Sequence, residues 1–197
     1  IQGSATQGQT LVLVDTLADI DGMGTRSYRW LATANGVTEE ISGATGQSFS
    51  PTQAEVGKTI TARATYIDGG GFEEQSTSAP SAVIVNVNDA PTGEVLISGT
   101  PLEGQTLTVS NTVKDADGIP ASGAGAIRYQ WLAGSTPIAG ATSASLTLGA
   151  GQVGQAISVR ASYVDSFGAQ ETVASKSTAS VSAAVKAGIV WSNASSL

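Results

Sequence analysis

Ile157-Ser158-Val159-Arg160-Ala161-Ser162-Tyr163-Val164-Asp165 is the stretch that decides the fold. Its apolar residues fall at every second position, with Ser158, Arg160 and Ser162 between them. That is the period of a strand with one buried face. The same pattern stands 97 residues earlier as Ile60-Thr61-Ala62-Arg63-Ala64-Thr65-Tyr66-Ile67-Asp68. A strand that recurs at this distance points to a duplicated unit, and the flanking sequence supplies the rest of the duplication.

Gly8-Gln9-Thr10-Leu11 returns as Gly104-Gln105-Thr106-Leu107, and Asp19-Ile20-Asp21-Gly22 as Asp115-Ala116-Asp117-Gly118, both 96 residues on. Tyr28-Arg29-Trp30-Leu31 returns as Tyr129-Gln130-Trp131-Leu132 at 101, and Ile41-Ser42-Gly43-Ala44-Thr45 as Ile138-Ala139-Gly140-Ala141-Thr142 at 97. Val56-Gly57 and Val153-Gly154 keep 97. The excursion to 101 is an insertion, Pro120 to Ala126, of a kind that a loop absorbs at small entropic cost. A period near 97 suits one β-sandwich domain and is too long for a solenoid unit. The expected fold is all-β, two tandem immunoglobulin-like Greek-key β-sandwich domains, with no helical stripe. Repeat 1 is expected over 1–88 and repeat 2 over 89–185, leaving 186–197 as a tail or the start of the next segment. The chain opens at Ile1 inside what reads as a strand, so the first strand of repeat 1 is expected to be truncated. Pro91 makes the linker Asn86-Val87-Asn88-Asp89-Ala90-Pro91 short and extended.

Composition narrows the function. Charged residues are 13% and aromatics 5%, so the core is built from aliphatic side chains. Net charge is −7 with no basic cluster, which argues against nucleic acid and anionic membrane. Residues 1–91 carry ten acids and four bases, residues 92–197 six and five. Cys and His are absent, which rules out disulfides, zinc sites of the usual kind and a Ser-His-Asp triad. No apolar run approaches 18 residues, so membrane insertion is not expected. Together these make an enzyme the weakest reading. Trp30 and Trp131 follow the Asp-x-Asp-Gly loop in mid-strand, where a sandwich buries a core tryptophan rather than exposing a sugar platform.

Taken together, Gly-Gln-Thr-Leu, Asp-x-Asp-Gly, Tyr-x-Trp-Leu, Ile-x-Gly-Ala-Thr, Val-Gly, Tyr-x-Asp and the linker Val87-Asn88-Asp89-Ala90-Pro91 resemble the bacterial immunoglobulin-like and cadherin-like repeats of large surface adhesins. Many of those leave by type I secretion and carry RTX calcium repeats. The resemblance implies a secreted or cell-surface extender, stiffened by calcium, that holds an adhesive tip away from the bacterium. Its partners would be neighbouring repeats of the same chain and a cell-surface or polysaccharide ligand, with the module itself a monomer. The end of the chain departs from the pattern. Ala183-Ala184-Val185-Lys186 replaces the linker motif, and Trp191 and the sequon at Asn193 have no counterpart in repeat 1.

Calcium takes six to eight hard oxygens. Sandwich topology brings the loop before the Trp strand and the loop after the Tyr-x-Asp strand to one end of the domain. Asp115, Asp117 and Asp165 are therefore expected to face the linker residues Asn88 and Asp89 as a junction calcium site. Asp19, Asp21 and Asp68 form the equivalent, weaker set in repeat 1. The competing reading is plain turn chemistry, because Asp-Gly and Asx residues build such loops without metal. Glu103 could join the site, but its counterpart is Gln7. Glu39-Glu40 and Glu73-Glu74 read as solvated charge, and Gly69-Gly70-Gly71 as a hairpin tip rather than a phosphate loop. The alternative function is a carbohydrate- or cell-surface-binding module, possibly accessory to a secreted enzyme. Phe72, Phe167 and Trp191 are its candidate contacts.

Overall fold

The computed structural model describes residues 1–14 and 16–185; the expected tail 186–197, with Trp191 and Asn193, lies outside them. The chain is all-β, built from antiparallel sheets, and separates into two compact units, Ile1–Asn88 and Asp89–Leu197. Among the described residues no helix is long and apolar enough to cross a membrane.

The first unit contains β1 (Leu11–Val12), β2 (Ser27–Ala34), β3 (Val37–Glu40), β4 (Ser48–Phe49), β5 (Thr59–Ile67) and β6 (Glu73–Thr77). β1 pairs with β4, and the larger sheet runs β3-β2-β5-β6. A two-residue turn, Asn35-Gly36, joins β2 to β3 with both residues at positive φ, 52° and 77°. That conformation lets the hairpin follow the strands' twist. Leu11, Leu13, Trp30, Ala32, Ile60, Ala62 and Ile84 form the core. The rings of Trp30 and Phe49 pack 5.5 Å apart within it.

The second unit contains β7 (Val95–Ser98), β8 (Thr106–Asn111), β9 (Arg128–Ala133), β10 (Thr136–Pro137), β11 (Ser145–Thr147), β12 (Ile157–Val164) and β13 (Gln170–Ala174). Its sheets have the orders β11-β8-β7 and β10-β9-β12-β13. The chain crosses between them at β8–β9, β10–β11 and β11–β12, as an immunoglobulin-like sandwich requires. The alternation along β12 does what it predicts: Ile157, Val159, Ala161 and Tyr163 are buried, and the residues between them are not. Trp131 is fully buried opposite Val159, and its indole N–H donates to the Ser143 carbonyl at 2.8 Å. Trp30 makes the same bond to Gly46, also at 2.8 Å. Both tryptophans are thus core residues whose single polar atom is satisfied.

Both units kink their last strand in the same way. Beyond β13 the amides of Ser175 and Thr178 still donate to the Val159 and Ile157 carbonyls, at 2.8 and 2.9 Å, while hydroxyls stand in for ladder carbonyls as acceptors. The amides of Val159 and Ile157 donate to Ser175 Oγ at 2.9 Å and Thr178 Oγ1 at 3.0 Å. In the first unit Ala62 and Ile60 donate to Ser78 and Ser81, at 3.0 and 2.9 Å. Past the kink, Ser182 runs parallel to Leu102, exchanging bonds with Pro101 and Glu103.

Candidate functional site

The second unit gathers acids at one end, where the β8–β9 and β12–β13 loops meet. Asp115 opens the first loop. Its Oδ1 accepts the Asp117 amide at 2.9 Å, an Asx turn, and its carbonyl accepts the Gly118 amide at 3.1 Å. Gly118 closes the turn at φ 85°, where a side chain is strained, and an added Cβ would stand 2.8 Å from Ser166 Oγ. The Asp115 Oδ2 atom accepts the hydroxyl of Tyr163, projecting from β12. Burial and this bond to a carboxylate, reinforced by the charges of Asp115, Glu171 and Asp165, push the Tyr163 hydroxyl well above the ordinary tyrosine range.

Asp165 shapes the second loop. Its Oδ1 accepts the amides of Phe167 and Ala169, both at 2.8 Å, and its backbone amide donates to Ala169. The residue is 4% exposed, yet its Oδ2 has no hydrogen-bond partner. A carboxylate oxygen withdrawn from water without a donor is costly. It is also the atom that a cation would satisfy.

One carboxylate oxygen from each of Asp115, Asp165 and Glu171 lies within 4.8 Å of the others. Among the described residues this is the one such grouping of three potential ligands. Glu171 is the member that sequence reasoning missed. It sits on β13 directly opposite Tyr163, a register fixed by the hairpin centred on Phe167. Counting outward from that hairpin is the one sequence signal that could have found it.

The remaining expected ligands have separate places. Asp117 is 2% exposed, and its Oδ2 accepts the amide of Asp89, the first residue of this unit, at 2.7 Å. Asp117 therefore grips the linker's backbone and stands outside the group of three. Asn88 is the last residue of the first unit. Glu103 lies elsewhere, its carboxylate accepting the Ala184 amide at 3.1 Å.

The first unit repeats the scaffold in looser form. Asp19 accepts the Asp21 amide at 3.0 Å and the Tyr66 hydroxyl at 2.9 Å. The bond to Asp19 is the main reason the Tyr66 hydroxyl is also raised. Asp68 accepts one loop amide, from Phe72 at 2.7 Å, where Asp165 accepts two. Asp19 and Asp68 are half-buried and Asp21 is exposed. Glu74 stands opposite Tyr66, as Glu171 does opposite Tyr163.

An all-carboxylate cluster with one buried, undonated oxygen suits a hard cation such as Ca²⁺. Nothing in it resembles a nucleophile with its base. Glu39 and Glu40 lie on the exposed edge strand β3, where Arg29 pairs with Glu40 at 2.9 Å. Compared with protein-family models and with curated proteins, the chain matches none.

Proposed function

We propose that the chain is a non-catalytic extender or adhesion repeat module of a large bacterial extracellular or cell-surface protein, stiffened by calcium. The observation that carries this reading is the convergence of Asp115, Asp165 and Glu171 around the undonated Oδ2 of Asp165. Those three carboxylates would hold the ion, with water completing its shell. Bound there, Ca²⁺ supplies positive charge that offsets the mutual repulsion of the acids. Asp117 contributes by fixing the backbone of Asp89, so that ordering the loops also orders the linker segment that begins there. A row of such modules gains reach from duplication and stiffness from the ion. The lack of His and Cys agrees with a non-catalytic role.

Melting curves and small-angle scattering in calcium and in chelator test the proposal. Calcium should raise the melting temperature and change the maximum dimension, and Asp117→Ala should weaken the dimensional response. Identical curves in both conditions refute it.

A second reading, a carbohydrate- or cell-surface-binding module, draws on the loop tips, where Phe72 is 70% and Phe167 54% exposed. A glycan array with Phe72→Ala and Phe167→Ala controls separates the two.

A further inference from the structure

The outer face of the sheet β10-β9-β12-β13 carries the residues that alternate with the core: Arg128 and Gln130 on β9, Arg160 and Ser162 on β12, Gln170 and Thr172 on β13. Arg128 stands opposite Ser162 and Arg160 opposite Gln130, so the two arginines are diagonal neighbours. Both are exposed, and neither has a carboxylate partner among the described residues. They are far apart in the chain, and strand register alone brings them together.

The first unit shows the same face neutralised. Its pairs Ser27↔Thr65, Arg29↔Arg63, Leu31↔Glu40 and Ile67↔Glu73 match Arg128↔Ser162, Gln130↔Arg160, Leu132↔Pro137 and Val164↔Gln170. Glu40 bridges both arginines there, reaching Arg29 at 2.9 Å and Arg63 at 3.4 Å. The second unit has Pro137 in place of Glu40, Gln170 in place of Glu73 and Arg128 in place of Ser27. Both acids are gone, and the cations stand alone. The insertion Pro120–Ala126, which repeat 1 lacks, adds a wall. The Val164 amide donates to the Gly125 carbonyl at 3.1 Å, and a depression of about 140 Å³ forms among Ala124, Ala126, Arg128, Ser162, Val164 and Gln170.

We propose that this face binds an acidic polysaccharide, with one anionic group in the depression on Arg128 and the next on Arg160. A guanidinium takes two oxygens of a carboxylate or sulfate in its fork. The hydroxyls of Ser162 and Thr172 and the amide of Gln170 suit sugar hydroxyls. The large apolar residues of the face are covered, Leu132 at 7% exposure and Val164 half-buried, so it lacks the protruding anchor around which a protein interface is built. The charge fits an anion in a chain whose net charge is otherwise −7.

The test measures binding of the whole chain to immobilised polygalacturonate, dextran sulfate, neutral dextran and poly-glutamate. It is run at low salt and in chelator, which keeps calcium out of the result and makes the outcome independent of the metal reading. The chain should bind at least one of the two acidic glycans, and added salt should weaken that binding. Polygalacturonate alone identifies the carboxylate as the recognised group, and dextran sulfate alone the sulfate. Arg128→Gln with Arg160→Gln should weaken binding by roughly tenfold or more. Pro137→Glu, which restores the acid of the first unit, should weaken it too, and Arg63→Gln should not. Failure to bind either acidic glycan, equal binding to neutral dextran or poly-glutamate, or a double variant that binds like the parent overturns the proposal.

Discussion

Replacing Asp165 by Asn removes a charge while keeping the loop's hydrogen bonds, and so isolates the metal-binding role proposed for that residue. In the folded unit the Asp165 carboxylate lies near those of Asp115 and Glu171, with one oxygen of each within 4.8 Å of the others. Two like charges about 4 Å apart repel by about 1 kcal/mol in water and about 4 kcal/mol near a protein surface. Asp115 and Glu171 are partly exposed, so the lower end applies. Neutralising Asp165 should relieve roughly 1–2 kcal/mol when no metal is bound. The Asn carbonyl still accepts the amides of Phe167 and Ala169, at a loss of about 0.5 kcal/mol per bond relative to a carboxylate. In chelator the variant should therefore melt at or slightly above the parent. Under the proposal, calcium at about 100 times its dissociation constant should stabilise the parent by about 2.7 kcal/mol. For a domain of this size that is a rise of roughly 10–20 °C, and the variant should show little of it. Thermal melts monitored by circular dichroism, parent and variant, with calcium and with chelator, give all four values. A variant that melts far below the parent in chelator, or that gains as much from calcium, would refute the reasoning.

Trp131→Ala should cost about 3–5 kcal/mol by urea denaturation, because a fully buried indole and its bond to Ser143 are lost together. Ser175→Ala should cost about 1–3 kcal/mol by leaving the Val159 amide without an acceptor, and exchange at that amide should accelerate. The raised Tyr163 hydroxyl links stability to alkaline pH. The folded state holds its proton above the usual tyrosine range while the unfolded chain releases it near pH 10. The stabilisation is whole below that pH and is lost as pH rises above it, so phenolate absorbance should appear together with unfolding. Tyr163→Phe should remove this component of the pH dependence.

Much of the fold is legible in the residues because duplication shows every signal twice. Alternation in Ile157–Val164 and Ile60–Ile67 marks the central strands, and the buried tryptophans follow from their place after the Asp-x-Asp-Gly loop. Asp115 and Asp165 come together because sandwich topology puts their loops at one end. Glu171 was legible only by counting outward from the hairpin at Phe167, since its part in the cluster depends on which residue of β12 it faces, and motif and alternation alone do not fix that register. Glu74, its counterpart, reads as a solvated acid for the same reason. The different environments of Asp117 and Asp21 were also hidden. The two share a motif, but only Asp117 is buried against a backbone amide, that of Asp89. The hydroxyl-bridged kinks at Ser78, Ser81, Ser175 and Thr178 have no motif beyond two small polar residues three apart, a spacing common in any loop.

Isothermal titration of the chelator-stripped chain with calcium tests the central claim most directly. The account predicts a saturable site in the second unit that Asp165→Asn abolishes. A titration without saturable binding, or binding unchanged by Asp165→Asn, would contradict it.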